Sequence, residues 1–140
     1  MKLFLNYTPV PASRPRVTKW GTFYSKKYND YKNKIKHDIQ KKFLNDNDYQ
    51  KAEKTTALNI KIIFKFPFPK SYSKKKRLEI KENNYLHLIK PDLDNLEKAI
   101  LDGMNEIVYN DDSQICELSS SKRYTEEENG STEIIIEVIK

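Results

Sequence analysis

Cysteine is almost absent from this chain. Cys116 is alone among 140 residues, which excludes an intramolecular disulfide and a thiolate metal cage and fits a reducing cytoplasm. Long apolar runs are missing as well. Stretches such as Ile134-Ile135-Ile136 are far too short to cross a bilayer, and the N-terminus carries no signal-peptide pattern, so a cytosolic protein without a membrane partner is expected. Acidic residues are scarce over the first 42 positions, where eleven Lys or Arg face only Asp30 and Asp38.

What is present fits a folded domain. With 37% hydrophobic and 33% charged residues, one soluble domain over residues 1–140, large enough to bury a core, is expected. Net charge is +6. Besides the N-terminal cations there is a second cluster, "KSYSKKKR" (Lys70–Arg77). Such patches attract polyanions, most often nucleic acid. A solvated lysine-rich surface accounts for the charge alone equally well.

"LFLNYT" (Leu3–Thr8) alternates as a half-buried strand does, and Pro9, Pro11 and Pro15 then impose an extended loop. Ser25 suits an N-cap for a helix reaching about Leu44, whose Tyr28, Tyr31, Ile35, Ile39 and Phe43 fall on one face. Thr56–Phe68 alternates strongly and reads as a strand with its aromatic positions in the core, ended by Pro67 and Pro69. "SKKKRLEIKEN" is a short helix or an ordered loop. "DNLEKAILDGMNEI" reads as a helix, "QICELSSSKRYTE" as a strand with Cys116 in the core, and "STEIIIEVIK" as a final strand after an Asn129-Gly130 turn. The order β-α-β-α-β-β gives an α+β domain, one sheet with helices packed on it.

The unusual segment is "KPDLDNLEKAILDGMNEIVYNDDSQI" (Lys90–Ile115), with Asp92 and Asp94 before a helix and Asp111 and Asp112 after it. Asp94 with Glu97 has the spacing of a capping box. At 100° per residue, Leu96, Ala99, Ile100, Gly103 and Met104 share one side of the helix, and Asp94, Lys98, Asp102 and Asn105 form a polar stripe opposite. Lys98 can pair with Asp94 or Asp102 as an ordinary surface ion pair. Capping does not account for Asp92 or for the Asp111-Asp112 pair. Carboxylates that converge repel one another, and a hard cation such as Mg²⁺ makes the cluster tolerable. D-x-D and Asp-Asp also occur in ordinary turns, so spacing leaves both readings open.

The same stretch closely resembles the signature of the RusA family of Holliday junction resolvases, small phage- and prophage-encoded endonucleases: D-x-D-N-L-x-K, a helix, then D-D-x-Q. "PASRPRVTKWGTFYSKKYNDYK" is similar to the family's basic Pro-rich loop, tyrosine and helix. The resemblance implies a RusA-like α+β fold with one mixed sheet, a homodimer, dependence on Mg²⁺ or Mn²⁺, and symmetrical nicking of four-way DNA junctions in recombination and repair, inside a bacterial host. Carried over by position, the essential carboxylates and metal ligands are Asp92, Asp94 and Asp112, and the family's lysine is Lys98, placed to hold the scissile phosphate. Asn95, Asp111 and Gln114 accompany them; for Asp111 a ligand, a support to a ligand and a turn residue stay open. Arg14, Arg16, Lys19, Lys26, Lys27 and Lys98 are the expected DNA contacts. "NNYLHLIK" matches no family pattern: Tyr85, Leu86 and Leu88 are core or dimer contacts, or a wedge into the junction. A nuclease for flaps and other branched DNA, or a basic DNA-binding module without turnover, are the rival readings.

Overall fold

The longest regular alternation in the sequence forms the centre of the fold. The computed structural model describes residues 1–140. Strand β4 (Leu58–Pro67) buries Leu58, Ile60, Ile62, Phe64 and Phe66 on one face, as a period of two requires. It lies inside a four-stranded sheet of order β1-β6-β4-β5, with β1 at Lys2–Leu5, β5 at Ile115–Thr125 and β6 at Ser131–Val138. β4 runs parallel to β5 and antiparallel to β6, and β6 is antiparallel to β1. The sheet is therefore mixed, and the fold is α+β.

Helix α1 (Lys26–Asn45) begins at Ser25, whose hydroxyl accepts the Tyr28 N–H at 3.2 Å. It buries Tyr28, Tyr31, Ile35 and Ile39 of the face its apolar spacing draws, and Phe43, the last position of that face, is only partly buried. Helix α3 (Leu93–Met104) buries Leu96, Ala99, Ile100, Gly103 and Met104. Ile35 and Ile39 of α1 and Leu96, Ile100 and Met104 of α3 join Ile60, Ile62, Phe64 and Ile134 of the sheet in one apolar core. The two helices approach closely at Gly103, where a Cβ atom would lie 2.5 Å from Ile35 Cγ2. "SKKKRLEIKEN" resolves into a helix, α2 (Lys74–Glu82), capped by Ser73 and burying nothing.

Three expectations change. The segment before α1, expected to be only a loop, contains a two-stranded hairpin, β2 (Arg16–Thr18) and β3 (Gly21–Phe23). Helix α3 starts earlier than its capping-box spacing suggests. Asp92 takes the N-cap position and its carbonyl accepts the Leu96 N–H at 3.2 Å, so Asp94 falls within the first turn. Cys116 is exposed rather than core. β5 is an edge strand, and its register shifts so that Ile115 pairs with Leu58 and Glu117 with Asn59, leaving Cys116 as the extra residue of a bulge. No helix is long and apolar enough to cross a membrane.

Candidate active site

The polar stripe of α3 faces the turn that precedes β5. Asp94, Glu97, Lys98, Leu101 and Asp102 from α3 meet Asp112 and Leu118 around an open concavity of about 290 Å³. Two of the carboxylates singled out by the sequence, Asp94 and Asp112, thus share one surface with Lys98. An anionic Asp94 in the first turn is also favoured by the partial positive charge of the helix N-terminus.

Buried tyrosines support the acidic surface from below. Tyr28 of α1 donates its hydroxyl to Asp102 Oδ2, and Lys98 Nζ lies 3.4 Å from the same oxygen. α1 thereby orients Asp102, and Asp102 orients Lys98. Tyr109, fully buried, donates to the Leu101 carbonyl at 3.0 Å. Burial, and then the nearby Asp112 carboxylate, push its phenol well above the ordinary tyrosine range. Burial, followed by Asp102, does the same to Tyr28. Both phenols therefore remain protonated donors at any physiological pH.

Asp112 is placed by a hydrogen-bonded turn. It opens a short 3₁₀ turn (Asp112–Gln114) capped by Asp111, whose carboxylate accepts the Ser113 N–H at 3.0 Å. That bond holds the Asp111 carboxyl below the usual carboxylate range. Gln114 Oε1 accepts the N–H groups of Asn110 and Asp111 at 2.8 and 3.2 Å. Its Nε2 donates to the carbonyls of Glu53 and Thr56 at 2.8 and 3.1 Å. Gln114 thus fastens the turn to the α1–β4 connection, and the contacts of Asp111 are those of a turn residue.

Asp92 stands apart from the concavity lining. Its half-exposed carboxylate pairs with Lys90 at 3.2 Å. The strap before it is tied to β5 by Lys122, whose Nζ donates to the carbonyls of Ile89 and Pro91 at 2.6 and 2.8 Å. Within this strap Tyr85 is half-buried beside Phe68 and Leu88 is exposed. Among the 140 residues no three His, Cys, Asp or Glu side chains form a ready metal cage. The donor chemistry still suits a hard cation: Asp94 and Asp112 offer oxygens on one open surface, and Mg²⁺ typically takes one or two carboxylates, completing its shell with water and phosphate oxygens.

The expected DNA-binding cations are all exposed. Arg14, Arg16, Lys19, Lys26 and Lys27 surround the β2–β3 hairpin and the start of α1, and none joins the molecule's three ion pairs. This basic segment is rooted next to the acids, because the Ala12 N–H donates to the Asn95 carbonyl of α3 at 2.9 Å. Sequence reasoning missed the roles of Tyr28, Tyr109 and Lys122. Tyr28 reads only as one member of an apolar helix face, and Tyr109 carries no spacing signal beyond standing three residues before Asp112.

Two comparisons with known proteins bear on this arrangement. Over 71 residues, 51% of this chain and 50% of the other, the sequence is 37% identical to an uncharacterized protein, YqaN, of Bacillus subtilis (strain 168). The matched region thus spans about half the length of that curated relative. A family model described as Endodeoxyribonuclease RusA matches residues 6–137, a span that takes in the basic hairpin, the strap, α3 and the Asp111-Asp112 turn. The chain belongs to the RusA endodeoxyribonuclease family.

Proposed function

We propose that this chain is a Mg²⁺-dependent endodeoxyribonuclease that resolves four-way DNA junctions by paired symmetrical nicks, in recombination and repair. The observation that carries the reading is the meeting of Asp94, Asp112 and Lys98 on one concave surface beside unpaired arginines and lysines. The basic segment captures phosphates, and Arg suits them through its planar fork of donors. Asp94 and Asp112, with Asp92 at the edge, are the residues that would hold the metal. Bound there, it supplies Lewis acidity and charge neutralisation at the attacked phosphodiester.

The remaining chemistry belongs to the chain. The Lys98 ammonium, held by Asp102, donates to a non-bridging oxygen of the scissile phosphate as negative charge grows there. Tyr28 fixes Asp102, and Tyr109 fixes the floor under Asp112, so neither carboxylate has to reorganise during the reaction. A water oxygen forms the new bond to phosphorus and the bond to the 3′ oxygen breaks. The products are a 5′-phosphate and a 3′-hydroxyl. A four-way junction has near two-fold symmetry and needs two matched cuts, which a homodimer of single-domain protomers, one acidic surface on each, provides.

The test uses a synthetic immobile four-way junction beside a linear duplex of the same arms, with Mg²⁺ and with EDTA. Paired nicks on the junction alone, abolished by EDTA and by Asp94→Asn, support a resolvase. Equal cutting of both substrates moves the protein to the general nucleases. Tight binding without any cut identifies a DNA-binding module.

A further inference from the structure

The β2–β3 hairpin has no part in the core. All of its strand residues are exposed, and it pairs only with itself. Thr18 and Gly21 face each other across its end, so Lys19 and Trp20 form the tip. The tip is held in shape by its own bonds. The Trp20 N–H donates to Thr18 Oγ1 at 3.2 Å, and that hydroxyl donates to the Gly21 carbonyl at 3.3 Å. Gly21 has a φ of +130°, a conformation that side chains disfavour.

This ordered tip holds the largest apolar side chain out into solvent. Trp20 is 80% exposed and Val17 77% exposed. Lys19 Nζ sits 5.1 Å from the centroid of the indole ring, so a cation and an aromatic face project together. Exposed Arg14 and Arg16 lead into the hairpin, exposed Lys26 and Lys27 open the helix that follows it, and no acid occurs before Asp30. The first turn of α1, which begins three residues after the hairpin, likewise has cations and no carboxylate, an arrangement the helix dipole opposes unless an anion is nearby. The root is fixed: the Ser25 hydroxyl donates to Ser13 Oγ at 3.1 Å, closing the two ends of the segment on each other, and Ala12 is bonded to Asn95 beside the acidic surface.

An exposed indole among unpaired cations suits a partner with a flat π face and phosphates beside it. In a continuous duplex the base faces are covered by their neighbours; at a branch point or in a single strand they are not. We infer that the β2–β3 hairpin is a branch-recognition element whose Trp20 stacks on an unpaired or unstacked DNA base while Arg14, Arg16 and Lys19 hold the flanking phosphates. This deepens the proposed function and rests on its reading of the partner as branched DNA. It assigns discrimination between branched and linear DNA to the hairpin and leaves cleavage to the acidic surface.

Trp20 is the chain's single tryptophan, so its fluorescence reports on the hairpin alone. The full chain is titrated in EDTA with the immobile four-way junction and, separately, with the matched duplex. The junction is expected to quench Trp20 strongly and the duplex to leave it near its free value. Trp20→Ala should weaken junction binding by roughly tenfold or more, with duplex binding nearly unchanged and Trp20→Phe keeping most of the affinity. Unquenched emission in the junction complex overturns the inference, as does an equal loss of affinity for both DNAs. So does a DNA-free protein that Trp20→Ala dissociates in sedimentation velocity, since the tip would then be a contact with a second copy. The two proposals fail separately. Quenching by a junction that Mg²⁺ never lets the protein cut sinks the nuclease reading alone, and cutting with an unperturbed Trp20 sinks the hairpin inference alone.

Discussion

The α1–α3 crossing and the β2–β3 hairpin are joined by a few residues and obey opposite rules. At the crossing Tyr28, Ile35, Ile100 and Gly103 are buried, and the helices approach too closely for a side chain larger than hydrogen at position 103. In the hairpin every strand residue faces water, and so does Trp20 at the tip. Burial of apolar area drives folding at about 25 cal/mol per Å², so the crossing stabilises the protein while the hairpin contributes little. The acidic surface sits on the outer stripe of the rigid member of this pair. Its carboxylates can therefore be held in place by the protein itself, whereas the hairpin has no packing partner within the chain.

The comparison breaks most visibly if the acids turn out to be structural. Asp94→Asn is expected to lower cleavage of a four-way junction by about 10³-fold, about 4 kcal/mol of barrier, and to leave the urea midpoint where it was. A fall in stability with cleavage retained would show that the carboxylate supports the helix rather than the chemistry. Gly103→Ala probes the crossing itself. Better helix propensity favours alanine by about 1 kcal/mol, but the new methyl meets the branched, fully buried Ile35, and overpacking of that kind costs about 1–3 kcal/mol. A net loss of up to about 2 kcal/mol is expected in urea unfolding. Pairing it with Ile35→Ala should show coupling above about 0.5 kcal/mol; additive losses would mean the helices do not meet as described.

Tyr109→Phe sharpens the link between core and site. Losing a buried hydroxyl that bonds to Leu101 should cost about 1 kcal/mol of stability. The same change unties Tyr109, three residues before Asp112, from the Leu101 carbonyl of α3 and should slow cleavage by up to about tenfold. A stability loss with full activity would confine Tyr109 to the core. The hairpin gives the opposite pattern. Arg14→Ala with Arg16→Ala should leave stability within about 0.5 kcal/mol and reduce the salt-dependence slope of DNA binding by about 2, one for each phosphate contact. An unchanged slope would take these arginines off the DNA.

These two regions also differ in how much the sequence reveals of them. Periodicity reports burial, so β4, the buried face of α3 and all of the α1 face but its last position, Phe43, are legible residue by residue, and so is the stripe that carries Asp94, Lys98 and Asp102. The hairpin is not, because three-residue strands that bury nothing leave no periodic trace; proline and arginine spacing shows only an extended segment. Cys116 is misread for a related reason: it is the extra residue of a bulge on an edge strand and lies exposed, a placement that no alternation in the sequence marks. The acids are legible through the resemblance of their motif, but the bond from Tyr28 to Asp102 joins residues 74 apart in sequence, and only the packing of α1 on α3 brings them together. Position alone made Asp94 look like a cap. The earlier helix start reassigns that place to Asp92 and leaves the Asp94 side chain to the concavity.

The strap before Asp92 can be assigned to the rigid or the mobile side of this contrast by titration, the smallest effect expected here. Its His87 is buried, with ring centroids 4.6 Å from Phe66 and 4.5 Å from Tyr124, and its Nδ1 has no hydrogen-bond partner. Burial first, and then the charge of Lys122, lower its pKa from the ordinary value of 6.5. As pH falls below that value the unfolded chain takes up a proton that the folded chain still refuses, and stability falls with it. The contribution of the neutral ring is thus fully present above 6.5 and drains away until the folded value is passed. Urea midpoints between about pH 7.5 and pH 5 should fall more steeply for the native chain than for His87→Phe, which keeps an aromatic ring between Phe66 and Tyr124 and cannot titrate. Parallel slopes would mean that water reaches His87 and that the strap opens easily. Asp92 would then be delivered to the acidic surface by a mobile segment, and the line between rigid site and partner-seeking hairpin would have to be redrawn through residue 92.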